Sequence, residues 1–412
     1  MILETTSQNS LRVGKLNKQH SRPVDRMQKE LLNELDQRYL TNQLEQMIRI
    51  GSVIGEESEL AEYIQSQLTN LGLKTELHEV EPHRPNVYGR IRGSQDGPRL
   101  MFNGHTDTVP VSEGWDTDPF TPVTRNGKIF GLGACDMKAG VACTLAAVKA
   151  LVDSGTDLRG ELFFTGVIDE EGYSKGAKAL LTTEYAKCDS IILCEPYPGD
   201  ESKPIPLGIT GKMLYDVTVK GHAAHGFWPE EGINAIDQAA KILSSLNNLS
   251  MTQHPQFGKG NYCTLKIEGG YQRYSVVVPD RCRFEVNRLL VPGETIAGAI
   301  EDMRHLISSL GLKAEVDVNA KPPQYEPFTL KGDEPILRIF NEVYKQIMGK
   351  EPMYEHARGI TDANVFTGEA HIPCLHLGPK RGNTHQPNEY VPIDWLQPMS
   401  QMYLLIAARY LA

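Results

Sequence analysis

The sequence lacks several features that would place it among membrane or nucleic-acid-binding proteins. No stretch approaches the ~20 apolar residues that a membrane-spanning helix needs, and the N-terminus has no apolar run of signal-peptide length. Acidic residues outnumber basic ones by 52 to 42, which gives a formal net charge of −10. This balance argues against nucleic acid or an anionic membrane as the main partner.

Cysteine is also scarce, and its spacing contains no CxxC pair. The chain has seven cysteines among 412 residues, and an odd count without paired spacing argues against both a disulfide framework and a cysteine zinc knot. We therefore expect a cytoplasmic protein. Hydrophobic residues make up 40% of the chain, as in ordinary globular proteins, and the length predicts two domains.

The first half of the chain has the pattern of an α/β protein. Residues 1–25 are polar and aperiodic and predict a flexible N-terminal tail. From there to residue 210 we predict the first part of a catalytic domain (26–210), in which helical patterns alternate with short apolar runs. These runs are typical of buried strands and lie at 99–104, 161–168 and 190–194. The alternation predicts a mostly parallel sheet with helices on both faces.

The pattern changes in the middle of the chain and then returns. Residues 211–325 contain strands in which apolar and polar residues alternate, together with two helical patterns, so they predict an inserted α+β domain. This segment ends in the Pro-rich stretch 321–327, which we interpret as a hinge. Residues 326–412 resume the α/β pattern and predict the second part of the catalytic domain.

Three of the predicted buried strands run directly into acidic or imidazole side chains. The first is followed by His105, the second by Asp169-Glu170-Glu171, and the third by Glu195. Because ligands of open α/β sheets gather at the carboxyl ends of the strands, we expect these side chains to converge. Imidazole and carboxylate ligands without thiolate suit zinc, manganese or cobalt in a hydrolytic centre.

Two loops can complete this centre. Asp136 lies in a Gly-rich loop just before a predicted helix, and His385 lies in a loop rich in Gly, Asn and Pro. Asp107 lies two residues after His105, on the same face of an extended segment, where it can orient the imidazole ring. Each signal alone has an ordinary explanation: a turn after a strand, a solvated loop, or an aspartate that stabilises a helix N-terminus.

Taken together and in order, these segments resemble a known family. It is the dinuclear zinc amidohydrolase and exopeptidase family that includes acetylornithine deacetylase, succinyl-diaminopimelate desuccinylase, aminoacylase and glutamate carboxypeptidase. The resemblance extends over roughly residues 35–412. The motifs that carry it are HTDTVP (105–110), GLGACDMK (131–138), DEEG (169–172), CEP (194–196) and THQPNEYVP (384–392).

The resemblance implies a role for each ligand. His105 and Glu195 would hold one divalent metal ion, Glu171 and His385 the other, and Asp136 would bridge the two. The ions would be zinc, with cobalt or manganese as alternatives. A water molecule shared by the two ions would be the nucleophile.

The remaining catalytic roles fall on two acidic residues. Glu170 would be the general base that takes a proton from the attacking water and later passes it to the leaving amine. Asp107 would orient His105. The metal-ligand and base positions show no departure from the family's pattern.

The inserted domain resembles the family's lid, which also forms the contact of a homodimer. The resemblance implies that His225 stabilises the oxyanion in the active site of the partner subunit. It also implies that Arg288 binds the carboxylate of the substrate and that Gly359 backs the substrate. Two positions of the lid depart from the family's pattern: Val276 stands where relatives often carry Asn, and Leu289 stands where a second Arg often follows.

The leading hypothesis is hydrolysis of the amide bond of an N-acyl amino acid, as in acetylornithine deacetylase. The alternative is a dipeptidase or carboxypeptidase that removes a C-terminal amino acid, since the same chemistry needs only a different pocket. A third hypothesis, from another class, is an inactive relative that acts as a binding protein. The presence of Glu170 and all five ligands argues against it.

Overall fold

The computed structural model describes residues 23–412. Up to position 22 the predicted N-terminal tail lies outside the described residues, and positions 23–25 already belong to the first helix. The α-helices of the described chain are α1 (Pro23–Asn33), α2 (Gln37–Arg49), α3 (Ser58–Asn70), α4 (Lys138–Asp153), α5 (Lys175–Leu180), α6 (Ala235–Ser244), α7 (Ile296–Ser309), α8 (Pro335–Met348) and α9 (Leu396–Tyr410).

Within residues 23–412, the strands form one large sheet, a four-stranded sheet and three small ones. In chain order they are β1 (Lys74–Glu81), β2 (Arg84–Arg92), β3 (Gln95–His105), β4 (Val123–Arg125), β5 (Lys128–Phe130), β6 (Arg159–Val167), β7 (Ser190–Leu193), β8 (Ile205–Ile209), β9 (Gly211–Lys220), β10 (Gln253–His254), β11 (Gly258–Lys259), β12 (Asn261–Gly269), β13 (Arg281–Leu290), β14 (Glu315–Tyr325), β15 (Phe328–Thr329), β16 (Tyr354–Ala357), β17 (Cys374–His376) and β18 (Tyr390–Pro392).

The large sheet has the order β1-β2-β6-β3-β7-β17. The run from β6 through β3 and β7 to β17 is parallel, and the two pairs at the other edge, β1–β2 and β2–β6, are antiparallel. The predicted α/β class with a mostly parallel sheet is confirmed. The predicted buried strands are β3, β6 and β7, and their apolar runs are buried as a parallel sheet between helices requires.

Helix α4 is the central packing element of this domain. It contacts α2, α9 and β3, and almost every residue along it is buried, including small ones such as Ala139 and Ala142. A helix that is apolar on all sides belongs in the interior of a protein. The same buried position brings the N-terminal end of α4 to the carboxyl ends of the strands.

The inserted segment has a core of its own. Strands β12, β13, β9 and β14 form an antiparallel sheet, and α6 and α7 pack on it. Their buried side chains form a second cluster, whose members all lie between Met213 and Val318. Along β13 buried and partly exposed residues alternate, because successive side chains of a strand point to opposite faces.

The Pro-rich stretch at the end of this domain is not a separate linker. Strand β14 continues to Tyr325, and its pairing with β9 is irregular only between Lys321 and Tyr325. Pro322 and Pro323 lie in this interval, and they have no backbone N–H to donate to a neighbouring strand. Most of the predicted hinge at 321–327 is therefore the end of strand β14, and only Glu326 and Pro327 lie between β14 and β15.

One side chain joins the two segments that connect the catalytic domain to the inserted domain. The amide nitrogen of Asn364 donates to the carbonyl oxygen of Thr210 at 3.0 Å and to that of Glu326 at 2.8 Å. Its amide oxygen accepts the N–H of Thr361 at 3.1 Å. Asn364 thus ties both connecting segments to the loop that precedes it. Between residues 23 and 412, no helix is both long and apolar enough to cross a membrane.

Candidate metal centre

The centre is built on the carboxyl ends of three neighbouring parallel strands. In the pairing of β3 with β6, His105 lies opposite Val167, and in the pairing of β3 with β7, Asn103 lies opposite Leu193. The acidic loop begins at Asp169, two residues after the end of β6, and Glu195 lies two residues after the end of β7. Strand register alone therefore brings three of the predicted segments together at the carboxyl ends of the parallel strands, as predicted.

The bridging position is reached from helix α4. Asp136 lies two residues before α4, and Gly140 in its first turn packs against the end of β7. A Cβ atom on Gly140 would lie 2.1 Å from the carbonyl oxygen of Cys194, so only glycine permits this approach. The close packing holds Asp136 beside the segment that carries Glu195.

Asp136 presents its two carboxylate oxygens to two different histidines. Its Oδ1 lies 3.2 Å from Nε2 of His105, and its Oδ2 lies 3.4 Å from Nε2 of His385. A glutamate accompanies each histidine. Glu195 Oε1 is 3.7 Å from His105 Nε2, and Glu171 Oε1 is 2.8 Å from His385 Nε2. The five predicted ligands are thus together, and Asp136 lies between two His/Glu pairs.

This donor set fits two divalent ions. Zinc bonds of about 2.0–2.2 Å in a tetrahedral site place ligand atoms about 3.3 Å apart, and the separations in the two halves range from 2.8 to 3.7 Å. Ligand atoms of His105, Asp136 and Glu171 also lie within 4.8 Å of one another. Nitrogen and carboxylate oxygen ligands suit zinc, cobalt and manganese alike.

The pKa values of His105 and Glu195 show how strongly the charges in this centre interact. Burial alone would lower the pKa of His105, but a hydrogen bond to Asp136 and the charges of Asp107 and Glu195 hold it well above its usual range. Burial, followed by the charge of Asp136, raises the pKa of Glu195 well above its usual range. Bound cations would stabilise a buried group of carboxylates that repel one another in this way.

The predicted base lies within this group. Carboxylate and imidazole atoms of Glu170, His105 and Glu195 lie within 4.8 Å of one another. Burial and the charge of Glu195 raise the pKa of Glu170 well above its usual range. Glu170 is adjacent to the ligand Glu171 in sequence, so one short loop supplies both a metal ligand and the predicted base.

Asp107 acts differently from the prediction. The ring atom Nδ1 of His105 is 2.8 Å from the main-chain carbonyl oxygen of Asp107, whereas the nearer oxygen of its carboxylate is 3.8 Å away. Nδ1 must therefore carry a proton, which leaves Nε2 free to bind metal. The carboxylate instead accepts the backbone N–H groups of Glu170 at 3.2 Å and Glu171 at 3.0 Å. It orients the acidic loop.

A second contact holds this loop from outside. Asp169 has a left-handed backbone with φ of 67°, which is uncommon for a residue other than glycine. The guanidinium of Arg84 donates to Asp169 at 3.0 Å and to the buried carboxylate of Glu57 at 2.9 Å. Sequence reasoning missed Arg84, because a single arginine at the start of a strand carries no recognisable motif.

His225 lies on the lid, and the structure shows it exposed. Its ring packs at 5.3 Å from that of Phe227 and 4.8 Å from that of Trp228, centroid to centroid, and both neighbours are also exposed. Among the described residues it makes no hydrogen bond to the five ligands. This exposure is compatible with a role in a partner subunit, which stays a prediction.

Arg288 is in the wrong place for the role predicted from sequence. It is fully buried, and its guanidinium donates to the hydroxyl of Tyr215 at 2.8 Å, to Glu294 at 2.9 Å and to Asp302 at 3.3 Å. The alternation of β13 puts it on the same face as Val286, which packs in the lid core. The predicted contact with the substrate carboxylate is therefore corrected: Arg288 stabilises the lid from within.

Gly359 lies in an exposed loop close to buried polar residues. Its N–H donates to the hydroxyl of Thr210 at 3.3 Å, and Asp362 follows it three residues later. Asp362 is fully buried, and burial raises its pKa to about 7. The charges of His105 and Asp107 also act on this carboxylate. A contact between Gly359 and a substrate remains a prediction.

Residues 101–409 match the sequence profile described as peptidase family M20/M25/M40. The match extends over most of the chain and includes all five ligands. This chain belongs to the M20/M25/M40 peptidase family. It is accordingly a hydrolase that acts on amide bonds, and the family predicted from the ordered motifs is confirmed.

Two relatives of this M20 family member are named after the removal of an acyl group. N-formyl-4-amino-5-aminomethyl-2-methylpyrimidine deformylase of Bacillus subtilis is 28% identical over 381 residues, which covers 83% of this chain and 87% of the relative. Succinyl-diaminopimelate desuccinylase of a Sulfurovum species is 27% identical over 317 residues, which covers 75% and 83%.

Solved structures show the same fold. Aminopeptidase PepT of Bacillus cereus has a TM-score of 0.73 at 20% identity, and the match covers 92% of this chain and 99% of that one. A dinuclear metal binding peptidase of the M20 family from Bacillus subtilis has a TM-score of 0.68 at 18% identity, with 91% and 98% covered. At these identities the likeness shows the architecture of an M20 peptidase.

Proposed function

We propose that this protein hydrolyses the amide bond of an N-acyl amino acid at a centre of two divalent metal ions, in the manner of acetylornithine deacetylase. The observation that carries the proposal is the placement of Asp136 between two His/Glu pairs. Each carboxylate oxygen of Asp136 lies within 3.4 Å of a histidine nitrogen. A carboxylate shared in this way is the expected bridge between two ions.

The ions would be held by His105 and Glu195 on one side and by His385 and Glu171 on the other, and we take zinc as the first choice. When bound, they supply Lewis acidity that polarises the scissile carbonyl and acidifies the attacking water. The centre is open to solvent on one side, since the side chain of His385 is 49% exposed. A substrate amide can therefore enter next to the ligands.

Glu170 performs the proton transfers of this reaction. It takes a proton from the attacking water as the C–O bond forms, and it gives that proton to the amine nitrogen as the C–N bond breaks. The loop that carries it is fixed at three points: by the carboxylate of Asp107 on the N–H groups of Glu170 and Glu171, and by Arg84 on Asp169. These contacts hold the backbone of the base in place and leave its carboxylate next to His105 and Glu195.

The lid contributes the oxyanion group and the subunit contact. Residues 211–325 would form a homodimer interface, and His225 would enter the active site of the partner subunit. Three exposed aromatic side chains near this position, Phe227, Trp228 and Tyr274, support a contact surface on this part of the lid. A small acyl amino acid or short peptide is the expected substrate, and neither nucleic acid nor a membrane is an expected partner.

The names of the two relatives favour a deacylase over a peptidase, because they describe removal of a formyl and a succinyl group from nitrogen. The test is a panel of N-formyl, N-acetyl and N-succinyl amino acids together with dipeptides, assayed with added zinc, cobalt or manganese. We expect release of a free amine from at least one N-acyl amino acid. Turnover of dipeptides alone would support the dipeptidase or carboxypeptidase alternative and contradict the proposal.

A further inference from the structure

The loop that carries the bridging aspartate donates most of its backbone N–H groups to one residue that is distant in sequence, Glu389. The carboxylate of Glu389 accepts the backbone N–H groups of Gly133 at 3.0 Å, Cys135 at 2.8 Å and Asp136 at 3.0 Å. Its main-chain carbonyl also accepts the N–H of Gly131 at 3.1 Å. Glu389 is 2% exposed, so these bonds are formed away from bulk water.

Within the described chain, these three N–H groups have no acceptor other than Glu389. The remaining backbone bonds of the loop run elsewhere, from Leu132 to the carbonyl of Pro119 and from Ala134 to that of Gly131. Buried N–H groups without acceptors are costly, so loss of the carboxylate would force the loop to rearrange. The side chain of Asp136 would then lose the orientation that presents one oxygen to each histidine.

Glu389 also belongs to the segment that delivers the second histidine. Reciprocal backbone hydrogen bonds between Gly382 and Tyr390, at 3.1 and 3.0 Å, close the loop from which His385 projects. Glu389 lies at the base of that loop. A single residue therefore fixes the position of His385 relative to Asp136, although about 250 residues separate the two ligands in the chain.

We propose that Glu389 is a positioning residue that sets the affinity of the centre for its metal ions by fixing Asp136 against His385. The inference rests on the metal centre proposed above. Glu389 itself is expected neither to bind metal nor to touch substrate, since both of its carboxylate oxygens are directed at backbone N–H groups.

The decisive variant is Glu389→Gln, which keeps the size of the side chain. Glutamine retains one acceptor oxygen, so its amide nitrogen must face a backbone N–H group and at least one bond is lost. We expect affinity for cobalt, measured by titration of the metal-free protein against a chelator, to fall by about 10- to 100-fold. The absorption spectrum of the cobalt-loaded variant should also change, because its ligands are displaced.

The matched control is Glu334→Gln. Glu334 uses its carboxylate in the same way, on the N–H groups of Lys331 at 2.7 Å and Gly332 at 2.9 Å, in an exposed loop that contributes no ligand. This variant should keep wild-type cobalt affinity and spectrum. Unchanged cobalt affinity in folded Glu389→Gln would overturn the inference. A wild-type protein that binds no divalent ion would instead overturn the proposed function.

A measurement on the wild-type protein covers the case in which Glu389→Gln does not fold. The backbone N–H groups of Gly133, Cys135 and Asp136 should be strongly protected from hydrogen exchange in the metal-free protein, because Glu389 holds them without metal. Protection that appears only after metal is added would show that the ions, and not Glu389, organise the loop, and would contradict the inference.

Discussion

The carboxylate of Asp107 accepts the backbone N–H of Glu170 at 3.2 Å, so the residue that follows His105 by two positions orients the predicted base. The sequence predicts that the side chain of Asp107 orients His105. In the structure, the main-chain carbonyl of Asp107 orients that ring instead. The distinction has a consequence that can be measured, because a side-chain substitution removes only one of the two functions.

We expect Asp107→Asn to slow turnover while leaving metal at the His105 side. Asparagine replaces one acceptor oxygen by an amide nitrogen, which would face an N–H group of the acidic loop, and such supporting contacts are typically worth about 10- to 100-fold in activity. The check is kcat together with metal content at saturating zinc. Wild-type kcat would mean that the carboxylate does not hold the loop.

Glu170→Ala should abolish turnover with little change in metal content, since no ligand is removed. Loss of a general base typically costs about 10²- to 10⁴-fold. The measurement pairs kcat on the best substrate of the panel with metal analysis of the purified variant. A variant that retains wild-type rates would remove Glu170 from the mechanism, and one that loses metal would make it a ligand.

His225→Ala should fold normally, because the residue is exposed, and should be nearly inactive as a pure homodimer. Co-expression of His225→Ala with Glu170→Ala chains should restore activity, since one of the two sites in each mixed dimer then receives Glu170 from one subunit and His225 from the other. The measurement is the specific activity of mixed dimers purified by two different tags.

The control for this experiment combines Glu170→Ala with Asp136→Asn. Both changes lie in the catalytic domain, so neither site of such a mixed dimer is complete and activity should stay low. Equal activity in the two mixtures, or none in either, would indicate that His225 does not act across a subunit boundary.

The metal ligands could be predicted from sequence because their positions follow from local rules. A buried strand that ends in His or Glu delivers that side chain to the edge of the sheet, and the order of the segments along the chain identifies the family. His105, Glu171 and Glu195 are found together for this reason. The general architecture follows from the same alternation of buried strands and helices.

Arg288 shows where such reasoning fails. Its position in a family motif suggested a substrate contact, but a strand has two faces, and the face is decided by which side the helices cover. Here α6 and α7 cover the face that carries Arg288, and it becomes part of the lid core. Glu389 is a residue whose role the sequence does not reveal. It lies within the motif THQPNEYVP, but its hydrogen bonds to the backbone of a loop about 250 residues away depend on the fold.

The stability of the protein should fall in acid through His376. This residue is fully buried next to Thr361 and Tyr197, and burial lowers its pKa from 6.5 to about 3. Above pH 6.5 neither the folded nor the unfolded ring binds a proton. As the pH falls towards about 3, only the unfolded state binds one, so folding stability is lost over this window.

His376→Gln should remove this contribution. The difference in free energy of unfolding between wild type and variant should be constant above pH 6.5 and should change below it by up to about 1.4 kcal/mol per pH unit. Denaturant unfolding between pH 4 and 8 measures it. His305→Gln, at an exposed helical position, is the matched control and should follow the wild type. Parallel curves for wild type and His376→Gln would contradict the assignment.

The most direct test of the account is anomalous diffraction at the zinc edge from crystals grown with zinc. We predict two peaks per chain, one contacted by His105 and Glu195, the other by His385 and Glu171, with Asp136 in contact with both. A single peak, or peaks bound by other residues while these five side chains contact only one another, would contradict the shared-aspartate centre and the hydrolytic function built on it.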